Sequence, residues 1–248
     1  MKDTRLLMGM PITVAVVDRL VAKKDIEAVF GYFTSVDTKF STYKKDSEIS
    51  KINSGLVALT SASPDMQEIF RLAEITKQET NGYFDILRNG KYDPSGLVKG
   101  WAIQNAAHLL EKKGFKNFFI EAGGDMQLSG KNKNGKLWRV GIKNPFKQSE
   151  NVKIVALSDM GIATSGSYIR ANHIYSPKNN SSISDIVSLT VIAKNIYDAD
   201  RMATAAFAMG MNGIYFIDSL KGYEGYMIDK NGIGTQTTGF GKFQIKFR

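Results

Sequence analysis

The stretch Tyr197–Gly210 reads YDADRMATAAFAMG and predicts a buried helix that begins near Asp198. Ala, Met and Phe give this stretch helix propensity, and an apolar face runs from Met202 through Ala206 to Met209. An apolar helix of this kind must pack against a core, so we expect the rest of the chain to be organised around it.

Two oxygen-bearing side chains of this helix, Asp200 and Thr204, are four residues apart and therefore share one face, with roughly 5–6 Å between their Cβ atoms. The helix start, where free amides favour anionic groups, is expected to be close by. A carboxylate and a hydroxyl are hard oxygen donors that suit Mg²⁺ carrying substrate phosphates. The alternative is structural: Asp198 or Asp200 caps the helix, and Thr204 merely packs.

The composition limits the classes of protein that the chain can belong to. Its 248 residues, 43% of them hydrophobic, suit one large domain or two closely packed ones. The net charge of +9 fits an anionic ligand, nucleic acid or simple solubility. The lysines of residues 131–147 are interleaved with Asn and Gly rather than with stacking aromatics, so no nucleic-acid partner is expected. With no cysteine, the chain has no disulfide, zinc–thiolate site or thiol nucleophile.

Targeting signals are weak in the sequence. The apolar run at residues 6–8 is interrupted by Gly9 and Pro11, so it is too short for the apolar region of a signal peptide. No uninterrupted apolar run approaches the length of a membrane span. The sequence therefore predicts a cytoplasmic protein without a membrane span.

Alternating and periodic apolar patterns predict a mixture of strands and helices. Helices are expected at residues 24–36, at 64–79 between the Ser63-Pro64 start and the Asn81-Gly82 stop, and from about residue 98 to 113. Strands are expected at residues 12–17, 118–122, 138–142, 152–157, 186–193, 224–228 and 243–247. The strand at 138–142 is the expected hairpin partner of the strand at 118–122.

Two glycine-bearing turns and one polar connection offer functional groups. The turn at Gly96 opens a helix whose amides can cradle phosphate, with Lys99 adding charge, although the turn could equally be structural. Gly123-Gly124 allows close approach of a ligand that Asp125 would bind, or it is simply a hairpin turn. In the connection at residues 40–53, Tyr43 offers a flat face to a ring system.

That connection also carries Ser41 and Asn53, which offer hydrogen bonds to a ligand; alternatively it is a surface loop in which Ser47 caps a short turn. His173 is one of two histidines. It lies between a hydroxyl-rich segment and Pro177. Its unperturbed pKa of about 6.5 suits a general base, although a lone histidine is as often structural.

The order of these motifs resembles that of the ApbE family of flavin transferases, from Met8-Gly9 to the last strands. The matching blocks are Phe40-Ser-Thr-Tyr43 with Ser47-Glu48 and Asn53, Asn81-Gly82-Tyr-Phe-Asp85, Lys99-Gly100-Trp-Ala, Ala122-Gly-Gly-Asp125, Ala163-Thr-Ser-Gly166, His173 with Pro177, and Ala199-Asp200 with Thr204.

The resemblance implies an α+β fold of antiparallel sheets with packed helices, with an ApbE-like (T-fold-like) architecture, in a single domain over residues 1–248. It also implies FAD as substrate and Mg²⁺ as cofactor. Family members split the FAD pyrophosphate, release AMP and join FMN to a Thr or Ser hydroxyl of a target flavoprotein. A hydrolase that gives FMN and AMP, or a non-catalytic FAD-binding protein, are the alternatives.

The resemblance also implies roles for individual residues. Asp200 and Thr204 would be the side-chain ligands of Mg²⁺, with a backbone carbonyl in the Gly96 turn as a third ligand. His173 would take the proton from the acceptor hydroxyl. The residues expected to line the FAD pocket are Met8, Tyr43, Glu48, Lys99, Asp125, Ser165 and His173.

Three positions depart from the family pattern. Pro94-Ser95 replaces an apolar residue and Gly, Gln104 replaces Asp, and Ser176 replaces the Asp that commonly precedes the Pro. The first departure bears on the shape of the Gly96 turn. The signal and the lipid-attachment Cys of exported members are also missing, which suggests a cytoplasmic member or a trimmed exported form.

Overall fold

The computed structural model describes residues 1–147, 149–167, 175–179 and 181–245. Its strands and helices are β1 (Lys2–Leu7), β2 (Met10–Val16), α1 (Lys23–Phe40), α2 (Glu48–Asn53), α3 (Pro64–Glu79), β3 (Leu87–Arg88), β4 (Lys91–Tyr92), α4 (Ser95–Lys112), β5 (Phe118–Ala122), β6 (Asp125–Ser129), β7 (Trp138–Lys143), β8 (Asn151–Leu157), β9 (Met160–Gly166), β10 (Ile186–Ala193), α5 (Ile196–Ala208), α6 (Gly213–Ser219), β11 (Glu224–Asp229) and β12 (Gly234–Gln236).

One eight-stranded sheet organises these elements, in the order β1-β2-β5-β6-β9-β10-β11-β12. Every neighbouring pair in it is antiparallel. Two further two-stranded pairs, β3-β4 and β7-β8, stand outside this sheet. The α+β prediction with antiparallel sheets and packed helices is confirmed.

The apolar residues form two clusters. The larger one joins residues of β2 and β5 to helices α1, α3, α4 and α5, and Ala199, Ala203 and Ala206 of α5 are fully buried in it. The smaller cluster combines residues of β6, β9, β10 and β11 with those of the β7-β8 pair. Helix α5 therefore lies in the main core, as its apolar face predicts.

The clearest helix signals give the most accurate boundaries. Helix α3 has the predicted limits because the Ser63 hydroxyl accepts from the Met66 amide, and Pro64 is the first helical residue. Asn81 and Gly82 follow with φ of +51° and +78°, a left-handed conformation that stops the helix. Helix α1 extends four residues beyond the predicted end at residue 36.

The predicted hairpin between residues 118–122 and 138–142 is wrong. Ala122 pairs with Asp125 across a two-residue turn, so β6 is the partner of β5. Gly123 and Gly124 adopt φ of +58° and +98°, which a tight hairpin turn needs and glycine allows. Strand β7 pairs instead with β8.

The two ends of the chain also differ from the prediction. Strand β1 is an edge strand whose polar sequence, KDTRLL, gave no strand signal. Near the other end, a 3₁₀ turn at Phe240–Lys242 precedes the strand predicted at 243–247, of which the described residues 243–245 pair with β8 only through a bridge from Gln244 to Val155 and two flanking backbone bonds. Residues 246–248 lie outside the described residues.

None of the helices in the described ranges combines the length and the apolar character that crossing a membrane requires.

Candidate functional site

The start of α5 is held by a residue that the sequence analysis did not single out. Asn195 is the N-cap, and its side-chain oxygen accepts from the Asp198 amide at 2.8 Å. Asp198 and Asp200 are therefore not caps. Asp200 is the fifth residue of the helix, so it lies close to the helix start, as expected, although just beyond the amides that lack an intrahelical partner.

Helices α4 and α5 cross closely because small residues face each other. A Cβ added at Gly100 would lie 2.6 Å from the Cβ of Asp200, and one added at Gly96 would lie 3.0 Å from Cγ2 of Thr204. The first distance is shorter than any side chain tolerates, and the second would require Thr204 to shift by a few tenths of an ångström. The pair Gly96 and Gly100, four residues apart on α4, therefore fits against the pair Asp200 and Thr204 on α5.

This crossing brings backbone and side-chain oxygens together. The Gly100 amide donates to Oδ2 of Asp200 at 2.7 Å, and the Thr204 hydroxyl donates to the carbonyl oxygen of Gly96 at 3.3 Å. Helix α4 begins at Ser95 with Pro94 as its N-cap, so Gly96 lies in the first turn of the helix rather than in a loop before it. The predicted metal ligands are thus adjacent, and the helix begins at Ser95 instead of at about residue 98.

Lys99 and Asp125 complete the cluster. The Lys99 ammonium nitrogen lies 2.6 Å from Oδ2 of Asp125 and 3.5 Å from Oδ1 of Asp200. Asp125 is 1% exposed, and its Oδ1 accepts from the Thr164 amide of β9 at 2.9 Å. Gly123-Gly124 is therefore a hairpin turn, as the structural interpretation predicts, and it also positions a buried acid; binding of a ligand by Asp125 stays a prediction.

Burial controls the charges of this cluster. It raises the pKa of Asp200 above the usual range of a carboxyl group, and Lys99 opposes that rise. For Lys99, burial alone lowers the pKa, but the charges of Asp125 and Asp200 raise it above its ordinary value. Lys99 consequently stays protonated, and it faces two acids with a single positive charge.

Two other predicted pocket residues lie at the same end of the sheet's strands as Asp125. Met8 occupies the two-residue turn between β1 and β2, with φ of +53°, and Met10 beyond it packs against the Gly123 position. Ser165 lies near the end of β9, next to Thr164, and is buried. The sheet register thus places Met8, Asp125 and Ser165 on one side of the molecule.

Tyr43 and Glu48 are engaged elsewhere in the structure. Both oxygens of Glu48 accept from Ser63, its amide at 2.5 Å and its hydroxyl at 2.6 Å, so this carboxylate holds α2 against the start of α3. Tyr43 is 87% exposed and lines a cavity of about 380 Å³ together with Lys45 and Lys91. Neither side chain contacts the Asp200 cluster among the described residues.

Two other polar side chains of this connection, those of Asn53 and Ser47, also bond within the protein. Asn53 accepts from the Tyr92 amide at 2.7 Å and donates to the Tyr92 carbonyl at 2.9 Å. Ser47 caps α2, as the surface-loop interpretation predicts, and its hydroxyl donates to the Ser41 carbonyl at 2.6 Å. Asn53 therefore fixes the strand that leads into Gly96, instead of offering a free hydrogen bond.

His173 lies outside the described residues, so its predicted role stays a prediction. Of the positions that depart from the family pattern, Gln104 has a side-chain nitrogen 2.8 Å from a ring nitrogen of His108, and Ser176 is buried. Neither contacts the cluster within the part of the chain that the structure describes.

Sequence reasoning missed three contributors: Asn195 as the cap, Gly100 as the contact of Asp200, and Thr164 as the amide that holds Asp125. A signal existed for Gly100, because Gly96 and Gly100 repeat the four-residue spacing of Asp200 and Thr204. No local signal marks Thr164, since the bond from its backbone amide depends on sheet register.

The oxygen donors of this site suit a hard cation. Asp200, Thr204 and the Gly96 carbonyl supply one carboxylate, one hydroxyl and one carbonyl oxygen, which is the donor chemistry that Mg²⁺ prefers. No cluster of three or more His, Cys, Asp or Glu side chains suited to a metal occurs in the described ranges. Asp200, Thr204 and the Gly96 carbonyl provide three oxygen donors, so water or ligand oxygens would complete the octahedral coordination of an ion bound here.

The fold and this cluster define a class of α+β protein. In it, a buried acid–lysine site lies where two helices cross, next to the start of an interior strand of the sheet. A family model described as the ApbE family matches residues 8–90 and 86–227 of the chain. The chain belongs to the ApbE family, as the order of its motifs predicts.

Individual relatives agree with this assignment. The FAD:protein FMN transferase of Haemophilus influenzae is 25% identical over 254 residues, covering 76% of this chain and 73% of that protein. The FAD:protein FMN transferase of Vibrio cholerae is 35% identical over 128 residues, covering 48% of this chain. The match spans 38% of the length of the Vibrio protein.

Solved structures share the fold. The ApbE protein from Thermotoga maritima superposes with a TM-score of 0.89 at 21% identity, covering 99% of both chains. The flavin transferase ApbE from Vibrio cholerae gives a TM-score of 0.84 at 23% identity, covering 98% of both chains.

Proposed function

We propose that this protein is an Mg²⁺-dependent FAD:protein FMN transferase, which moves the FMN part of FAD onto a Thr or Ser hydroxyl of an acceptor flavoprotein and releases AMP. The observation that carries the proposal is the convergence of Asp200, Thr204 and the Gly96 carbonyl beside Lys99. Relatives that match the chain bear the corresponding name.

The residues present fit the metal that this reaction uses. Gly96 and Gly100 have no Cβ, so the oxygens of Asp200 and Thr204 come within hydrogen-bond distance of the α4 backbone. Asp200, Thr204 and the Gly96 carbonyl would hold the ion. Bound there, Mg²⁺ would neutralise pyrophosphate charge and make the phosphorus more electrophilic.

The protein's own side chains account for binding and orientation. Lys99 would bring a positive charge to the phosphates, and Asp125 would fix the direction of the lysine through their contact at 2.6 Å. Met8 and Ser165 would bound the flavin side of the site, and Tyr43 and Glu48 its more distant wall.

The transfer exchanges one phosphorus–oxygen bond for another. The acceptor hydroxyl oxygen bonds to the phosphorus of the FMN part, the bond from that phosphorus to the bridging oxygen breaks, and AMP leaves with that oxygen. The proton of the hydroxyl passes to a base, for which His173 is the candidate. Water in place of the hydroxyl would give FMN and AMP instead.

The test uses the protein with FAD, Mg²⁺ and a panel of flavoprotein domains that carry candidate Thr or Ser acceptor segments. We expect covalent flavin fluorescence on a denaturing gel, equimolar AMP by chromatography, and loss of both when the acceptor hydroxyl is removed by Thr→Ala or Ser→Ala. AMP formation without any acceptor would instead indicate a hydrolase. FAD binding without turnover under all conditions would contradict both activities and indicate a flavin-binding protein.

A further inference from the structure

Lys99 faces two buried acids whose surroundings are alike. One oxygen of each acid is held by a backbone amide: Oδ1 of Asp125 by Thr164, and Oδ2 of Asp200 by Gly100. The other oxygen of each acid faces the Lys99 ammonium, at 2.6 Å and 3.5 Å. Lys99 thus joins α4, the start of β6 and α5 through charge.

The geometry makes Lys99 the resident cation of this cluster. Asp125 and Asp200 are 1% and 3% exposed, and two ionised carboxylates this close repel each other unless a cation lies between them. Oδ1 of Asp200, which faces the ammonium, belongs to the carboxylate that would bind Mg²⁺ in the proposed function. An ammonium and a divalent ion at one carboxylate would repel each other strongly in a buried site.

Lys99 is also able to leave. Its contact with Asp200 is nearly 1 Å longer than its contact with Asp125, and its side chain is 25% exposed although both acids are buried. A lysine has a flexible stem and a strongly hydrated head that reorients at low cost, unlike the rigid fork of an arginine.

We propose that Lys99 holds the cation position of Asp200 and Asp125 in the metal-free protein and releases Asp200 to Mg²⁺ when the dinucleotide's phosphates attract the lysine. This inference rests on the proposed function, and it adds an order of binding: Mg²⁺ alone binds weakly, and FAD and Mg²⁺ strengthen each other's binding. Because linkage is reciprocal, each ligand must raise the affinity of the other by the same factor.

The direct test omits FAD. The melting temperature and the Mg²⁺ dissociation constant are measured by calorimetry, in EDTA and in Mg²⁺, for the wild type, Lys99→Met, Lys99→Arg and the double variant Lys99→Met with Asp200→Asn. We expect Lys99→Met to melt lower than the wild type in EDTA, to recover in Mg²⁺, and to bind Mg²⁺ alone at least about tenfold more tightly than the wild type does.

The other variants assign that effect. Lys99→Arg keeps the positive charge and should respond to Mg²⁺ alone as weakly as the wild type does. The double variant lacks the carboxylate and should lose the recovery in Mg²⁺. Equal Mg²⁺ affinity of Lys99→Met and the wild type would overturn the inference.

A measurement on the wild type decides the case if Lys99→Met does not fold. The Mg²⁺ dissociation constant of the wild type should fall at least about tenfold when FAD is present. Equal dissociation constants with and without FAD would overturn the inference. These results are distinct from failure of the proposed function, which would appear as absence of FAD binding or of FMN transfer by the wild type at saturating Mg²⁺.

Discussion

Two buried acids on helix α5, only two residues apart, are compensated in different ways. Asp198 accepts two bonds from Arg201, at 3.1 Å from Nε and 2.8 Å from Nη2, and its other oxygen accepts from Asn195 at 3.0 Å. Asp200 shares Lys99 with a second acid, Asp125, and its Oδ1 lies 3.5 Å from the Lys99 ammonium nitrogen. Asp198 thus has the Arg201 guanidinium as its partner, whereas Asp200 shares the Lys99 ammonium with Asp125.

This difference in charge compensation distinguishes Asp198, which has a structural role, from Asp200, the proposed metal ligand. The Asp198–Arg201 pair is continued by Glu79, which also bonds Arg201, so this network ties the end of α3 to α5. Nothing in it is left for a ligand. In the Asp200 cluster two carboxyl groups share the single positive charge of Lys99, burial raises the pKa of Asp200, and a bound cation would favour its ionised form.

The largest expected effect is the loss of activity in Asp200→Asn. An amide cannot supply the charge of the proposed metal ligand, so FMN transfer should fall at least about a hundredfold, beyond the range seen for outer-shell partners of metal ligands. The unfolding free energy should stay unchanged or rise, because the variant removes a buried charge that is only partly compensated. Transfer rates and chemical denaturation of the same preparation check both points; a stable, fully active variant would remove Asp200 from the site.

Asp198→Asn is the matched variant on the same helix and should show the opposite pattern. It leaves the Arg201 guanidinium, 8% exposed, without its buried carboxylate partner, which should cost about 3 kcal/mol of unfolding free energy. The value lies at the low end of the range for broken buried pairs because Glu79 remains. FMN transfer per folded molecule, measured well below the melting temperature, should stay within about threefold of the wild type. Asp198 is not one of the proposed metal ligands, so its replacement changes only the packing near the site.

Gly100→Ala tests the helix crossing itself. Its Cβ would lie 2.6 Å from the Asp200 Cβ and 2.8 Å from the Ile196 carbonyl, so α4 and α5 must move apart at a cost of about 1–3 kcal/mol. Gly31→Ala on α1 is the control, because its Cβ meets no atom within 4 Å. That control should stabilise the protein by about 0.5–1 kcal/mol through helix propensity. Equal stability changes for the two variants in urea denaturation would contradict the close crossing.

The smallest effect concerns an acid that is held by amides alone. Partial burial raises the pKa of Asp18, but hydrogen bonds from Asn117 and Lys116 outweigh it and lower the pKa below its ordinary value. Such a group stabilises the fold above its unfolded pKa, and this contribution is lost as the pH falls through the folded pKa. Asp18→Asn should therefore have a lower urea midpoint than the wild type at about pH 7, and the difference should shrink as the pH falls below about 4.

The elements that could be predicted from the sequence are those whose signals are local. Ser63-Pro64 and Asn81-Gly82 define both ends of α3 through backbone geometry that those residues favour on their own. The helix around residue 200 follows from its apolar periodicity. The four-residue spacing of Asp200 and Thr204 likewise places them on one face without any tertiary information.

The parts that failed depend on contacts that the local sequence does not encode. Strand β6 reads DMQLS and does alternate, but its polar residues Asp125 and Gln127 are buried as well, because they accept bonds from the amides of Thr164 and Ile196, which no local signal marks. The approach of Lys99 to Asp125 and Asp200 joins residues 26 and 101 positions away, and only the sheet register and the helix crossing bring them together. Asn195 was missed because Asp198 is an equally good cap by residue type.

The most direct test of the account compares the two acids of α5 through ligand-induced stabilisation. The melting temperatures of the wild type, Asp200→Asn and Asp198→Asn are measured with FAD alone and with FAD plus Mg²⁺. The account predicts that Mg²⁺ adds a further rise in the wild type and in Asp198→Asn, but none in Asp200→Asn. An equal Mg²⁺-dependent rise in Asp200→Asn would contradict the claim that the incompletely compensated acid at the helix crossing is the functional one.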